Sequence, residues 1–529
     1  MKSIGIKEIT SDATINIVLD TLEKYKQAIV FVNTKKGAEA IAERISGKVK
    51  SVPGKEALLI ADKAEKALAT PTKQCRRLGK VLRKGVAFHH SGLHYSQREL
   101  IETGFRERKI KVICSTPTLA AGLELPAYRV VIRDLKRFSG GWGMNNIPVL
   151  EYEQMAGRAG RPSFDKVGEA ICVANNVNER EEIWEQYING MPEDILSKLA
   201  VEPVLRTYVL ALVATGYAGS FNELMGFIRN SFYAHQYKDL TRIKQIIMRT
   251  VEMLEEWEFL YTDKKGESNG FVSANKLNEN KDFFLKATKL GERVAELYLD
   301  PLTANYLLVC LRKAASEKHS VFGFLQMLSW TLEMRPLIRA RQKDIPLIEE
   351  KLVLESDELL SGEPSSFSDE YDEFLDSVKT ALVFEAWIEE VADDELLESF
   401  NVTPGEMHAK LERADWLLYS CYELSKLQGF RVVGSELLKL RVRMKSGVKE
   451  ELLPLLKLKN VGRVRARKMF NNKIKDLGGV KKADLGLLAS LIGRGVALDV
   501  KKQVGQDLSN EKVVVKKNKR KGQVSLEDF

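Results

Sequence analysis

Gln154-Met155-Ala156-Gly157-Arg158-Ala159-Gly160-Arg161 sets two guanidiniums three positions apart among glycines and alanines. Read as the end of a helix that begins near Glu151, the two arginines share one face. Guanidinium suits bidentate contact with phosphate oxygens. Gly157 and Gly160 carry no side chain, so a backbone and a nucleotide can approach closely. The chemistry this suggests is stabilisation of charge on a transferring phosphoryl group, with Arg161 and Arg158 as the cations. The competing reading is a small-residue packing helix with solvated arginines. Eight specified positions in a strand–helix context weigh against it.

The surrounding sequence alternates. AIVFVNT (28–34), GVAFHHS (85–91), IKVICST (110–116), YRVVIRD (128–134) and GEAICVA (168–174) read as short apolar strands. Ile15 to Tyr25, Lys35 to Ile45 and residues 96–109 read as helices. That alternation implies an α/β layer on a parallel sheet, its strands buried on both faces. From about Met191 it stops. Val204 to Val213, Phe221 to Phe227 and Leu240 to Glu258 read as helices. Leu260-Tyr261-Thr262 and Gly270 to Ser273 are expected to form a small hairpin around DKKGESNG, which fits a winged-helix unit. Leu302 to Leu427 is nearly all helical pattern. Its exception, Glu355 to Asp376, carries nine acids and no base and reads as a solvated loop. Lys457 to Lys475 inverts that character, with eight bases and no acid, and Lys512 to Lys521 adds six bases.

The 529 residues are 44% hydrophobic and 29% charged, which is ordinary for a globular chain of several domains. A net charge of +9 favours a polyanionic partner, provided the charges cluster as they do toward the C-terminus. Cys75, Cys114, Cys172, Cys310 and Cys421 form no C-x-x-C pair, so no zinc ribbon and no metal ligand set is expected. No apolar run reaches the ~18 residues of a membrane helix, and MKSIGIKEITSDAT lacks a signal-peptide core. The expectation is a cytoplasmic, nucleoid-associated protein with no membrane partner.

QMAGRAGRP resembles motif VI of superfamily-two helicases in the wording of the Ski-like branch. Cys114 to Pro126 (CSTPTLAAGLELP) looks like motif V of that branch. His89-His90-Ser91-Gly92-Leu93 and AIVFVNTKKGAE resemble its motif IV region. ATKLGERVAELYLDP (287–301) and TPGEMHAKLERADWLLYS (403–420) resemble the archaeal Hjm/HelQ-type DNA helicases. The resemblance implies a second RecA-like domain over 1–188, a winged helix over 189–300 and a helical ratchet domain over 301–428. A helix-hairpin-helix domain over 429–510 and a basic tail over 511–529 would follow. Arg161 would be the finger at the γ-phosphate, with Arg158 alongside and Gln154 bridging to the nucleotide. Gly122, Glu124 and Gly157 would lie near the ribose and cleft, although the branch more often has Asn where Glu124 stands. Thr34, His90, Ser91, Gly92 and Thr116 would touch the DNA backbone through hydroxyls and backbone N–H groups.

Further residues extend the resemblance toward DNA. Gly140-Gly141 lies between β-compatible residues and reads as a hairpin. In the family a hairpin here separates strands, and Phe138 and Trp142 are the aromatics available to stack on the last base pair. A loop whose aromatics cover the core edge is the other reading. Trp416 in ADWLLYS reads either as helix core or as a base-stacking post. The family tends to have an Arg about two turns earlier, where this chain has His408, Ala409 and Lys410. Gly462, Arg463 and Arg465 in NVGRVR resemble a helix-hairpin-helix turn that presents N–H groups to phosphate. Residues 491–495 resemble a weaker copy. Gln523, Leu526 and Phe529 spell Q-x-x-L-x-x-F, a pattern similar to peptides that dock on the PCNA sliding clamp.

No G-x-x-x-x-G-K-[ST] and no D-E-x-H box occurs. Asp369-Glu370-Tyr371-Asp372 follows motif VI in an acidic stretch and is read as chance. ATP and Mg2+, the cofactors the family implies, are therefore expected to be held mainly by a first RecA-like domain outside this sequence, on a separate chain or a missing segment. The expectation is a 3′–5′ helicase part for single-stranded and forked DNA, without ATP turnover alone. A non-catalytic DNA-binding module and an RNA helicase relative are the alternatives.

Overall fold

The computed structural model describes residues 5–50, 54–68, 70–120, 125, 127–138, 144–160, 167–263 and 282–506. Its contacts divide the chain into two compact units. The first is Met1–Leu196 with Ala392–Ala409, and the second is Ser197–Val391 with Lys410–Phe529.

The first unit opens with α1 (Ala13–Glu23), β1 (Ala28–Phe31), α2 (Lys35–Ser46), α3 (Lys55–Glu65) and α4 (Lys73–Leu82). It continues through β2 (Val86–His89), α5 (Tyr95–Arg106), β3 (Val112–Ser115) and β4 (Arg129–Ile132). Then come β5 (Lys136–Phe138), β6 (Met144–Asn146), α6 (Val149–Ala156), β7 (Glu169–Cys172) and α7 (Val177–Ile183). Five strands form one parallel sheet in the order β2-β3-β1-β4-β7. Four of them are buried along their whole length, as helices on both faces require. Burying side chains such as Phe31, Phe88 and Phe105 contributes about 1.5–3 kcal/mol each. Arg129, a charge sealed in the sheet, is matched by Asp20 and Glu169 at 2.7 Å each. The helices α3 and α4 lay outside the sequence reading. The buried face of α3 is all alanine (Ala57, Ala61, Ala64), which leaves almost no hydrophobic period to see.

One local expectation is overturned. The helix expected to carry both arginines ends at Ala156, with Gly157 as its cap. Beyond it, Ala159 bridges to Ala127, and Gly160 takes φ +67°. Arg158 is thus on a turn, and the one-face argument for the arginine pair fails. The pull of the strand edge wins over helix propensity.

The second unit begins with α8 (Glu202–Ala214), α9 (Phe221–Arg229), α10 (Phe232–Gln236) and α11 (Thr241–Glu256). A two-stranded antiparallel sheet joins β8 (Leu260–Thr262) to β9 (Leu285–Ala287). The partner of Leu260–Thr262 is therefore 285–287 rather than the expected Gly270–Ser273, which lies outside the described residues. There follow α12 (Lys289–Glu296), α13 (Pro301–Ser316), α14 (Val321–Ser329), α15 (Ile345–Glu355) and α16 (Tyr371–Ile388). The acidic stretch is only partly a solvated loop. From Tyr371 it is helix α16, with Phe374 1% exposed.

Next, α17 (Asp393–Phe400) packs with the first unit, and α18 (Pro404–Leu427) opens there and runs on in the second unit from Lys410. The chain closes with α19 (Arg431–Ser446), α20 (Arg463–Asn471), α21 (Leu477–Lys482), α22 (Leu485–Ile492) and α23 (Arg494–Gln503). Residues 448–500 enclose their own core around Leu455, Met469, Leu488 and Val500. Among the described residues, no single helix is long and apolar enough to cross a membrane.

Candidate nucleotide and nucleic-acid faces

Phe31, His89 and Ser115 stand in register across β1, β2 and β3. The residues just beyond them, Thr34, His90-Ser91-Gly92 and Thr116, therefore gather at one carboxyl edge of the sheet, where open α/β sheets receive ligands. Thr34 is exposed and caps α2, its hydroxyl accepting from the Gly37 N–H at 3.0 Å. Thr116 is mostly buried, its hydroxyl 3.0 Å from that of Thr118. His90 is fully buried, stacked on Phe88 and 3.3 Å from Glu39, so its side chain serves the interior rather than a DNA backbone. The Gly92 N–H donates to His90 Nδ1 at 3.1 Å and is likewise spent internally. Ser91 remains exposed. Burial lowers the pKa of His89 despite its contact with Glu102 at 2.8 Å.

A second element covers this loop. The Gly405 N–H donates to the Gly92 carbonyl at 3.1 Å. A Cβ on Gly405 would stand 2.3 Å from the Ser91 carbonyl, so only glycine fits. Thr403 and Glu406 form a capping box at the start of α18, with Glu406 Oε2 accepting from the Thr403 N–H at 3.0 Å and its hydroxyl at 2.7 Å. The other oxygen of Glu406 meets Lys35 Nζ at 2.5 Å, beside Thr34. The signal T-P-G-E was legible as a helix start; its docking on the His90–Leu93 loop was not.

At and beyond the end of α6, Gln154 and Gly157 are exposed and Arg158 is half-buried. The Arg158 guanidinium donates to the Ala120 carbonyl. The Gly160 N–H donates to Ala127 O at 2.9 Å, and the Ala127 N–H to Arg158 O at 3.1 Å. The segment beginning at Thr116 and the segment after α6 are thus bound together. The glycine at 160 serves chain packing, since a Cβ there would lie 2.5 Å from Gly168 N. Gly122, Glu124 and Arg161 lie outside the described residues.

The expected hairpin forms: Lys136, Arg137 and Phe138 pair with Asn146, Asn145 and Met144. Its root is pinned by Asn33 Nδ2 on Lys136 O at 2.7 Å and by Tyr187 Oη on Ile147 O at 2.8 Å. Trp142 lies outside the described residues, as do the tail residues Gln523, Leu526 and Phe529.

In the second unit Trp416 is half-buried, and its indole N–H donates to Leu297 O at 3.0 Å. Lys410 is 8% exposed and donates to the carbonyls of Met334 and Pro336. That corrects the expectation of a DNA contact from Lys410: its ammonium is consumed in holding a loop. The loop itself, Arg335–Lys343, was missed, although four bases without an acid in nine residues were visible. Arg463 is also turned inward, over the Trp387 ring at 5.1 Å and donating to Val391 O at 2.8 Å. Gly462 and Arg465 stay exposed at the start of α20, Arg465 donating to Asn460 O at 2.8 Å.

Comparison with known proteins agrees with this layout. Residues 53–163 match the helicase conserved C-terminal domain, and residues 322–447 match archaeal helicase domain 4. An ATP-dependent DNA helicase Hel308 of Pyrococcus horikoshii is 38% identical over 506 residues, covering 95% of this chain and 67% of the relative. The protein of that name from Methanocella arvoryzae is 37% identical over 506 residues, covering 94% and 65%. That from Pyrococcus abyssi is 37% identical over 487 residues, covering 91% and 64%. The chain spans about two thirds of the length of these curated relatives. By its sequence, its sheet and its helical units, the chain belongs to the archaeal Hel308 family of superfamily-two DNA helicases.

Proposed function

We propose that these 529 residues form the arginine-bearing and DNA-handling part of an ATP-dependent 3′–5′ helicase for single-stranded and forked DNA. In this reading 1–188 is the second RecA-like domain, 189–300 a winged helix, 301–428 the ratchet and 429–510 a helix-hairpin-helix domain, with the clamp-binding peptide at 523–529.

The observation that carries the reading is the tie between the two glycine-bearing segments. Thr116, at the sheet edge, opens the turn whose Ala120 carbonyl takes the Arg158 guanidinium. A nucleic-acid contact at one end of that turn and a phosphate contact at the other share one short piece of backbone. The cofactor fits only in part. Gln154, Gly157 and Arg158 supply donors and room for one side of a nucleotide, and Arg161 would add the charge that a transferring phosphoryl group needs. No phosphate-cradling G-x-x-x-x-G-K-[ST] occurs in the sequence, and among the described residues no His/Cys/Asp/Glu group suits a metal. Magnesium chemistry is therefore not assigned to these residues.

The test is DNA-stimulated ATP hydrolysis by the purified polypeptide. The expected rate is at background, rising when a first RecA-like domain is added in trans, and falling again with Arg161→Ala. Robust turnover by the polypeptide alone that Arg161→Ala abolishes would overturn the division of labour. Failure of the added domain to restore unwinding, with DNA binding intact, would favour a non-catalytic module.

A further inference from the structure

The loop from Arg335 to Lys343 is irregular until its last residues, yet its backbone is held by side chains of neighbouring helices. Lys410 Nζ donates to the carbonyls of Met334 and Pro336, and Arg413 Nη1 to that of Arg335 at 2.5 Å. Lys379 Nζ donates to Arg339 O at 2.9 Å. The N–H groups of Ile338, Ala340 and Arg341 donate to Thr380, Asp376 and Asp344 at 3.0, 2.5 and 2.9 Å. Two of the grips are ammoniums withdrawn from water: Lys379 is 1% exposed and Lys410 8%. Burying such groups is costly unless they are fully paired. Here α16 and α18 spend them on fixing an irregular loop.

What the loop presents outward is charge of one sign. Arg335, Arg339, Arg341 and Lys343 are all exposed, and no acid occurs among the nine residues. Arg335 faces Glu373 at 2.6 Å, both about half exposed, a pair that solvent screens to little. Asp344 is turned inward, accepting from the Arg341 N–H and from buried Lys379, and Asp376 is engaged by the Ala340 N–H. On α18 the gripping residue Arg413 stands one turn before Trp416, which is half-buried with its indole N–H on Leu297 O. An aromatic beside a track of fixed cations is the combination that holds single strands, through base stacking and phosphate contact.

We propose that the loop Arg335–Lys343 is a preorganised ledge for the phosphodiester backbone of single-stranded DNA, with Trp416 one helical turn along α18 from Arg413, which grips the loop. The inference rests on the DNA-handling reading for its ligand and adds the residues that bind it. Rigidity matters because a loop ordered before binding loses little entropy on meeting its ligand.

The experiment is fluorescence anisotropy of a labelled 20-residue oligo(dT) with the full 529-residue chain and its R339Q/R341Q variant, over a range of salt. The dissociation constant of the variant is expected to rise about tenfold near physiological salt. The slope of log affinity against log salt is expected to shrink by about 1.4, the loss of two single-strand phosphate contacts. Trp416→Ala, run in parallel, should weaken binding with the slope unchanged. Equal affinity and slope for R339Q/R341Q and the parent overturn the ledge alone. A weaker affinity with an unchanged slope, or with a lowered melting temperature, overturns it as well, since that marks lost fold. Competition by poly-glutamate as strong as by oligo(dT) would reassign the ledge to acidic protein. No oligo(dT) binding by the parent chain overturns both the ledge and the function it rests on.

Discussion

Two glycines carry geometric demands that no other residue meets. Gly160, two residues past Arg158, holds φ +67° with its α-carbon face against the backbone of Gly168, and the Arg158 guanidinium donates to Ala120 O. Gly160→Ala is expected to destabilise by about 1–3 kcal/mol, combining left-handed strain with a clash against immovable backbone. A thermal melt reads the loss, and an unchanged midpoint would refute the packing role. Gly405 is tighter still, wedged between the carbonyls of Ser91 and Leu93. Arg158 and Lys410 show how far residue type alone informs. Both were visible as cations suited to phosphate. Arg158 is shared with a backbone carbonyl, and buried Lys410 donates to two.

At the level of elements, the start of α18 acts as a clasp within the first unit. Burial raises the pKa of Glu406, but Lys35 and Thr403 outweigh it and hold the carboxyl below its usual range. Glu39 behaves alike: burial pushes it up, and His90, Gln74 and Arg77 bring it down further. Carboxylates with depressed folded values give stability that is complete above their ordinary pKa near 4.5 and is lost as pH falls through the folded value. His89 is depressed by burial, so acid begins to favour its unfolded state below about 6.5. The melting temperature of the chain should thus fall gently below pH 6.5 and steeply below about 4.5. Glu406→Gln should flatten the steep limb and lower the plateau; parallel curves from pH 8 to 3 would contradict the clasp. In the second unit, Lys410→Met should free the carbonyls of Met334 and Pro336. Hydrogen exchange is expected to quicken at Ile338 and Ala340, whose N–H groups Thr380 and Asp376 of α16 hold, and at Arg341, which Asp344 holds, and equal protection in the two proteins would show that Lys410 is dispensable to the loop.

For the whole molecule, the charge pattern assigns separate work to separate regions. The basic tail ends in a peptide whose proposed partner is a sliding clamp. Phe529→Ala should abolish clamp binding in calorimetry while leaving oligo(dT) affinity unchanged, and retained clamp binding would dismiss the motif. The parallel sheet, the long helices and the antiparallel pairing of Lys136–Phe138 with Met144–Asn146 followed from the sequence by itself, because each rests on local order: apolar runs, helical periodicity, turn residues. So did the chemical types gathered at the sheet edge. What only the tertiary structure decided is which of those groups remain for a ligand. The helix expected to carry Arg158 stops early because Ala159 finds a strand neighbour at Ala127, thirty-two residues back. The strand partner of Leu260–Thr262 lies past a long connection, and His90, Lys410 and Arg463 face inward because distant segments bring them acceptors, rings or carboxylates. Contacts between residues far apart in the chain leave no period in the sequence, and they alone determine whether a cation is spent inside the protein or offered to nucleic acid.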